Sequence, residues 1–591
     1  MGADVFRSGG IALLVACGCA GRPAATPTRA DAATAAGTVA RPVGVREGAR
    51  PTSAEPPLVV KLTARIEPAA VLVELKLRGG ADELRRLALT RALPDEVRDL
   101  DAVDASGRVP LSVAPSRGGL SITLSRAPVP PLTVRYTRLA RPFAVDDSAT
   151  VALDPDHFTA PGDALFALPA AWEGRKLGTR VDIDATPFRP EARGAWSLGV
   201  ENRRSVELTP AALRRASFIG GTMGQAVLDG PEGHDEVAWL GYTSFDPRSV
   251  AAEVATFRSA AREYFGERRQ APFTLLIVSD SRSNGGFDVA REPASVMLRV
   301  GVGQAYTAPL RVSVAHQLLR EWMGATLHVG PSSDRDGAES IWFVDGVTRY
   351  LARELSFRFG LLTPAEYLTE VEEIERITRA SALSKSSNAE LGARAADPAA
   401  ALLLVARGAR HATSVDAALR AKSKGKRSLD GVLRELYRKA VLAGAPLSTS
   451  AWVEALRTDL GADADALFAE EIQRGTPRAL PADGLGPCFA PVPRSFDSFA
   501  LGFAVDGDLG KPPARVTQVE PRGPAAAAGL RSGDRIVRAS YEREQPASPV
   551  RLELERPAGL TRLEFLPRGP GVPGKGWKRL PAPADDRCAR R

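Results

Sequence analysis

Apolar and polar residues alternate from Leu58 to about Arg141. The runs PLVVKLTARI, AVLVELKLRG, GLSITLSRA and PLTVRYTRL have strand length and are split by Pro, Gly and Asp. They predict an antiparallel β domain. A second β-rich stretch, with ALFALPA, RVDIDATPF and WSLGVEN, continues to about Gly241. Helical spacing then appears over 251–266, and APFTLLIVSDS (271–281) and SVMLRVGVG (295–303) read as strands. From about Ala308 to Gln473 the apolar period becomes helical. It predicts helices over 311–325, 344–359, 364–378, 398–420, 428–442 and 450–459, with Thr363-Pro364 and Ser428-Leu429-Asp430 as starts. A further β-rich segment runs from Cys488 to Pro567. The whole reads as multidomain α+β: a β-rich region over 57–245, a mainly helical domain over 246–480, a small β domain over 486–568 and an irregular Pro/Gly/Arg-rich tail over 569–591. No repeat of 20–50 residues is visible.

Composition narrows the class. Of 591 residues, 44% are hydrophobic and 25% charged, so the chain folds into globular domains. The net charge of +8 comes from 78 bases spread among 70 acids, which gives no clustered basic face for nucleic acid. Four Cys, without facing CxxC pairs, exclude a cysteine zinc finger.

Residues 1–20 carry Arg7, the apolar run Ile11–Ala16 and then Cys17. The run is too short to span a membrane and fits an export signal. Leu14-Val15-Ala16-Cys17 resembles a bacterial lipobox, which implies lipidation of Cys17 and an envelope lipoprotein; an ordinary signal peptide cut nearby is the alternative. Residues 21–56, rich in Ala, Pro and Thr, read as a flexible tether. In an oxidising compartment Cys488 and Cys588 can form a disulfide, with two free thiols as the alternative.

The candidate chemistry lies in VSVAHQLLREWMG (312–324) and ESIWFVDGVTRYLARELSFRFG (339–360). His316 and Arg320 sit at i and i+4 on one helix face, and Asp345 follows near the start of the next helix. A zinc peptidase places two His at i and i+4, a Glu beside the first as general base, and a carboxylate ligand on a second helix. The layout is the same and the residues differ.

With Trp322 after the first motif, and with Trp342-Phe343-Val344-Asp345-Gly346-Val347-Thr348-Arg349-Tyr350 as the second, the chain resembles the glycyl aminopeptidase family of zinc metallopeptidases. GLLTPAEYL (360–368), SNAEL (387–391) and SLDGVLREL (428–436) add to the likeness, which covers about residues 57–567. It implies an N-terminal β region, a thermolysin-like catalytic domain and a C-terminal PDZ domain. It also implies that active relatives use zinc.

This chain departs from that pattern. Gln317 stands where the family has its Glu, and a neutral amide cannot take a proton from metal-bound water. Arg320 stands for the second His, and a guanidinium has no lone pair to give a metal. Asp345 is one methylene shorter than the family Glu. The family's Tyr before its Arg-Gly pair falls on Val405. Only His316 is intact, so no catalytic or metal site is expected in this set, and no cofactor. Rescue of a site by His328 is a minor alternative. Arg320 and Asp345 are expected to form an ion pair where zinc would sit; independent drift, with Arg320 in solvent, is the other reading. The segment 281–295 occupies the place where such peptidases hold a substrate backbone on an edge strand.

SFALGFAVDG (498–507) and ARVTQVEPRGPAAAAGLRSGDRIV (514–537) resemble a PDZ domain. Leu501, Gly502 and Phe503 match its carboxylate-binding loop. Between Val537 and the strand VRLELER, however, little room remains for the helix that walls a PDZ groove. A peptide binder and a purely structural cap both fit. Taken together, the sequence suggests an inactive peptidase relative that binds a peptide or an envelope protein and reaches the membrane through a lipid anchor, facing the periplasm. An active metallo-aminopeptidase with an atypical metal site is the alternative.

Overall fold

The computed structural model describes residues 40–41, 55–116, 118–140, 151–230, 233–241, 243–267, 271–280, 286–331, 338–510 and 512–581. The leader with Cys17, most of the tether and Cys588 lie outside the described residues. No helix among the described residues is long and apolar enough to cross a membrane. The chain groups into two compact units. One comprises the described residues within 40–256 and 271–305, the other those within 257–267 and 306–581.

The first unit is built on sheets. Its seven-stranded sheet has the order 203–208, 177–184, 58–65, 70–77, 132–139, 97–104, 107–108. All neighbours are antiparallel except 177–184 against 58–65. The alternation seen in the sequence sets the register: Val60 lies opposite Leu75, and Leu75 opposite Val134, all buried in one core. A six-stranded mixed sheet has the order 40–41, 223–230, 233–240, 273–280, 295–301, 287–292. Its strand FTLLIVSD is almost continuously apolar because it runs parallel between two neighbours and is covered on both faces. Those backbone ladders explain a boundary that differs from the sequence reading: the described residues within 271–305 group with the strands, not with the helices. Ala40–Arg41, inside the segment read as tether, also pairs with Val227–Leu228, an edge contact that needs only backbone. Phe287–Glu292 is the edge strand expected within 281–295; residues 281–285 lie outside the described set.

Helix α1 (Pro247–Phe265) links the parallel strands 233–240 and 273–280. The second unit then holds α2 (Ala308–Leu319), a π-helical turn (Trp342–Val347) running into α3 (Thr348–Arg358), α4 (Pro364–Ala380), α5 (Pro398–Ser423), α6 (Leu429–Ala443) and α7 (Thr449–Leu460). Their starts are chemically marked. Thr363 and Glu366 form a reciprocal capping box with Pro364 in the first turn, and Asp397 caps α5 ahead of Pro398. Helix α5 is buried on nearly every side, which is why its sequence lacks an amphipathic stripe.

At the C-terminus a five-stranded antiparallel sheet (503–506, 514–519, 535–540, 550–556, 559–565) carries a short helix Pro524–Ala527. It packs around Val516, Leu530, Ile536, Leu552 and Leu554. This module is carried on a two-stranded ribbon, Phe489–Phe499 against Arg568–Arg579. Residues 568–579 are therefore a strand and not part of an irregular tail. Glycines hide it in the sequence: a Cβ on Gly571 would meet Ser495, on Gly574 Phe496, and on Gly576 Glu372. Close packing replaces side-chain alternation as the organising pattern. Cys488, at the ribbon's base, is disulfide-bonded, and its carbonyl accepts from Leu580 N at 2.8 Å.

Candidate functional site

Helix α2 delivers the first motif. It ends at Leu319, earlier than its apolar period suggested, and Arg320 is its C-cap. His316 is 7% exposed and Gln317 is also buried. Trp322 stacks on Phe265 at 5.4 Å between ring centroids.

The second motif arrives on the π-helical turn, with Asp345 in its middle. Two glycines seat that turn on α5. A Cβ on Gly408 would lie 1.8 Å from the Trp342 carbonyl oxygen, and one on Gly346 would lie 2.8 Å from the Val405 carbonyl oxygen. No side chain fits at either point. Val405, where the resemblance places a Tyr, is a buried wall residue.

Three side chains meet. Arg320 Nη1 donates to Asp345 Oδ1, so the expected ion pair is present and Arg320 does not turn to solvent. His316 Nε2 lies 3.1 Å from the Asp345 carbonyl oxygen and 3.6 Å from Oδ1. A carbonyl only accepts, so the contact puts the imidazole proton on Nε2. Burial pushes the His316 imidazole down to about 4. Asp345 pulls the other way, and Arg320 and Arg349 add to the fall. His316 is thus neutral near pH 7, with its inward nitrogen already occupied.

The next cation along is also engaged. Arg349 Nη2 donates to Glu370 at 2.6 Å and Nη1 to Ser313 Oγ at 3.1 Å. The other histidines are committed elsewhere. His328 Nε2 contacts Ser340 Oγ at 3.0 Å. His411 is held between Glu471 at 2.9 Å and Trp452 Nε1 at 3.3 Å. Among the described residues, no group of three or more His, Cys, Asp or Glu is placed to hold a metal ion. The residues around His316 do not fit zinc: the second donor position holds a guanidinium, and that guanidinium holds the carboxylate.

Sequence reasoning brought His316, Arg320 and Asp345 together correctly. It did not find the π-helical turn, whose signal is only the paired glycines 346 and 408. Nor did it find the Arg349–Ser313–Glu370 bracket, whose members lie on three separate helices.

In the C-terminal module, Leu501 and Gly502 precede the edge strand Phe503–Asp506, with Gly502 at φ +74° and its carbonyl accepting from Glu520 N at 2.9 Å. No helix forms over 541–549. That loop instead meets α4: Arg376 Nη2 donates to the Glu544 carbonyl at 2.7 Å, and Gln545 Nε2 donates to Glu373 at 3.2 Å.

No protein-family model matches the sequence, and no curated protein matches it either. Solved structures do. An aminopeptidase N family protein from Idiomarina loihiensis superposes with a TM-score of 0.62 at 17% identity, covering 88% of this chain and 98% of that one. The fold is thus like that of this aminopeptidase N family protein. More distant likenesses are an M1 zinc metallopeptidase from Deinococcus radiodurans (TM-score 0.41, 16% identity, 72% of this chain and 94% of that one) and leukotriene A4 hydrolase from Saccharomyces cerevisiae (0.44, 15%, 71% and 68%).

Proposed function

We propose that the protein is a catalytically inactive relative of glycyl aminopeptidase-type metallopeptidases, and that it binds a peptide or an envelope protein. The Arg320–Asp345 pair carries this reading. It takes the carboxylate that a metal would need and puts a permanent cation at the second donor position. Gln317, at the general-base position, is neutral at every pH the protein meets. The Leu501–Phe503 loop beside an open edge strand suits capture of an extended peptide end by a PDZ-like module. The envelope location and the lipid on Cys17 rest on the leader sequence alone.

Zinc stoichiometry tests the reading. The chain is purified without chelator, given zinc, and compared with Gln317→Glu/Arg320→His/Asp345→Glu by elemental mass spectrometry. The native chain is expected to hold no zinc above background and to release nothing from short unblocked peptides. The triple variant is expected to take up zinc. Stoichiometric zinc in the native chain would overturn the proposal in favour of an active aminopeptidase with an atypical metal site. Failure of the variant alone would show that the surrounding cleft has also diverged.

A further inference from the structure

The C-terminal end of α6 presents an apolar tip to solvent. The helix buries Leu429, Val432, Leu433, Leu436, Tyr437 and Ala440. Beyond them Leu442 is 88% exposed and Val441 53%. Ala443, Gly444, Ala445 and Pro446 are exposed as well. Gly444 ends the helix in the left-handed region, so the run turns over at the surface. A single exposed Leu would carry no meaning, but here Val441, Leu442, Ala443, Ala445 and Pro446 form one contiguous apolar run at the surface.

The collar around the tip is basic. Arg434, Arg438 and Leu442 share one face at i, i+4 spacing, and Lys439 precedes Leu442 by three. All three cations are exposed, and none pairs with a carboxylate among the described residues. Arg434 and Arg438 instead donate to their own helix's carbonyls, at 3.3 and 3.2 Å, and Arg434 also lies over the Tyr264 ring, 5.6 Å from its centroid. The sequence contains no Asp or Glu from Leu436 to Val453.

We propose that this tip docks on an anionic phospholipid surface. Val441 and Leu442 would enter the interface while Arg434, Arg438 and Lys439 meet the headgroups. The charge selects the occupant: a purely apolar partner would not need the collar, and a basic partner would be repelled by it. The envelope location proposed above supplies access to such a surface, but the vesicle measurement does not depend on it.

The test uses the chain from residue 21 on, without the leader and the Cys17 proposed to carry lipid, in co-sedimentation with phosphatidylcholine vesicles with and without phosphatidylglycerol. Binding is expected only to the anionic vesicles, weakened by salt. Val441→Asp/Leu442→Asp and Arg438→Glu/Lys439→Glu are each expected to reduce it by about tenfold or more, with unfolding temperatures unchanged. Equal binding by native chain and variants would overturn the proposal. So would equal binding to both kinds of vesicle. If sedimentation velocity shows a dimer that the Asp variants disperse while vesicle binding stays the same, the tip is a contact between copies and the proposal fails.

Discussion

A buried histidine that donates from Nε2 to a carbonyl has lost the nitrogen that faced its neighbours. His316 is in that state, and the cause is Asp345, whose backbone oxygen and side chain both turn toward it. On the proposed reading, a histidine kept from a peptidase motif would no longer have its inward nitrogen free for a metal. The environment also fixes its protonation. The imidazole falls from its ordinary value of 6.5 to about 4 in the folded chain, chiefly through burial. Between those values the unfolded chain binds a proton that the folded chain refuses. Stability is thus fully present above about pH 6.5 and declines as pH falls toward 4, by up to about 3 kcal/mol. Chemical denaturation across that window should show the decline in the native chain and a shallower one in His316→Asn, the other titrating groups being common to both. Equal slopes, or an imidazole resonance that titrates above pH 6, would show that His316 is not buried as described.

The packing of α5 on the π-helical turn depends on the absence of two side chains. In an ordinary helix interior Gly→Ala stabilises by about 1 kcal/mol. Gly408 should do the opposite, because its Cβ would fall 1.8 Å from the Trp342 carbonyl oxygen, a backbone atom that cannot step aside alone. Gly408→Ala is expected to cost about 2–4 kcal/mol and to move Asp345 with the turn. A neutral or stabilised variant in denaturant titration would mean that the two helices are farther apart. The same elements show what a sequence reveals. Capped helices such as α4, with Thr363, Pro364 and Glu366, were legible because the cap is local chemistry. The alternating strands of the seven-stranded sheet were legible because one face is buried. The π-helical turn was not, since its cause lies on α5, some sixty residues away in sequence. The ribbon strand Arg568–Arg579 was not, since its glycines and prolines carry no apolar period and its partner Phe489–Phe499 lies across the whole module.

For the molecule as a whole, the C-terminal module is the part whose role the sequence left most open. Its loop 541–549 forms no helix, and part of it faces inward while Arg543 and Ala547 are exposed. Gln545 and Ser548 are buried, and Arg376 of α4 reaches the Glu544 carbonyl while gripping Glu373 through two bonds of 2.7 Å. The ribbon adds to the attachment through Arg494 to Glu372 at 2.9 Å. The module is therefore fastened to α4 by that loop, while Phe503–Asp506 stays at the edge of its sheet, where the proposed function would have an extended partner add. Arg376→Ala tests the fastening. It removes the donor to the Glu544 carbonyl and leaves Glu373 without its bidentate partner, at a cost of about 1–3 kcal/mol. Hydrogen exchange should rise across residues 541–549 and leave α5 unchanged, since α5 keeps its own contacts. If exchange in the loop does not change, the ribbon and its base at Cys488 hold the module alone, and the loop merely rests on α4. A rise confined to the loop, without a fall in the unfolding midpoint, would show that the contact orders the loop but does not bind the module.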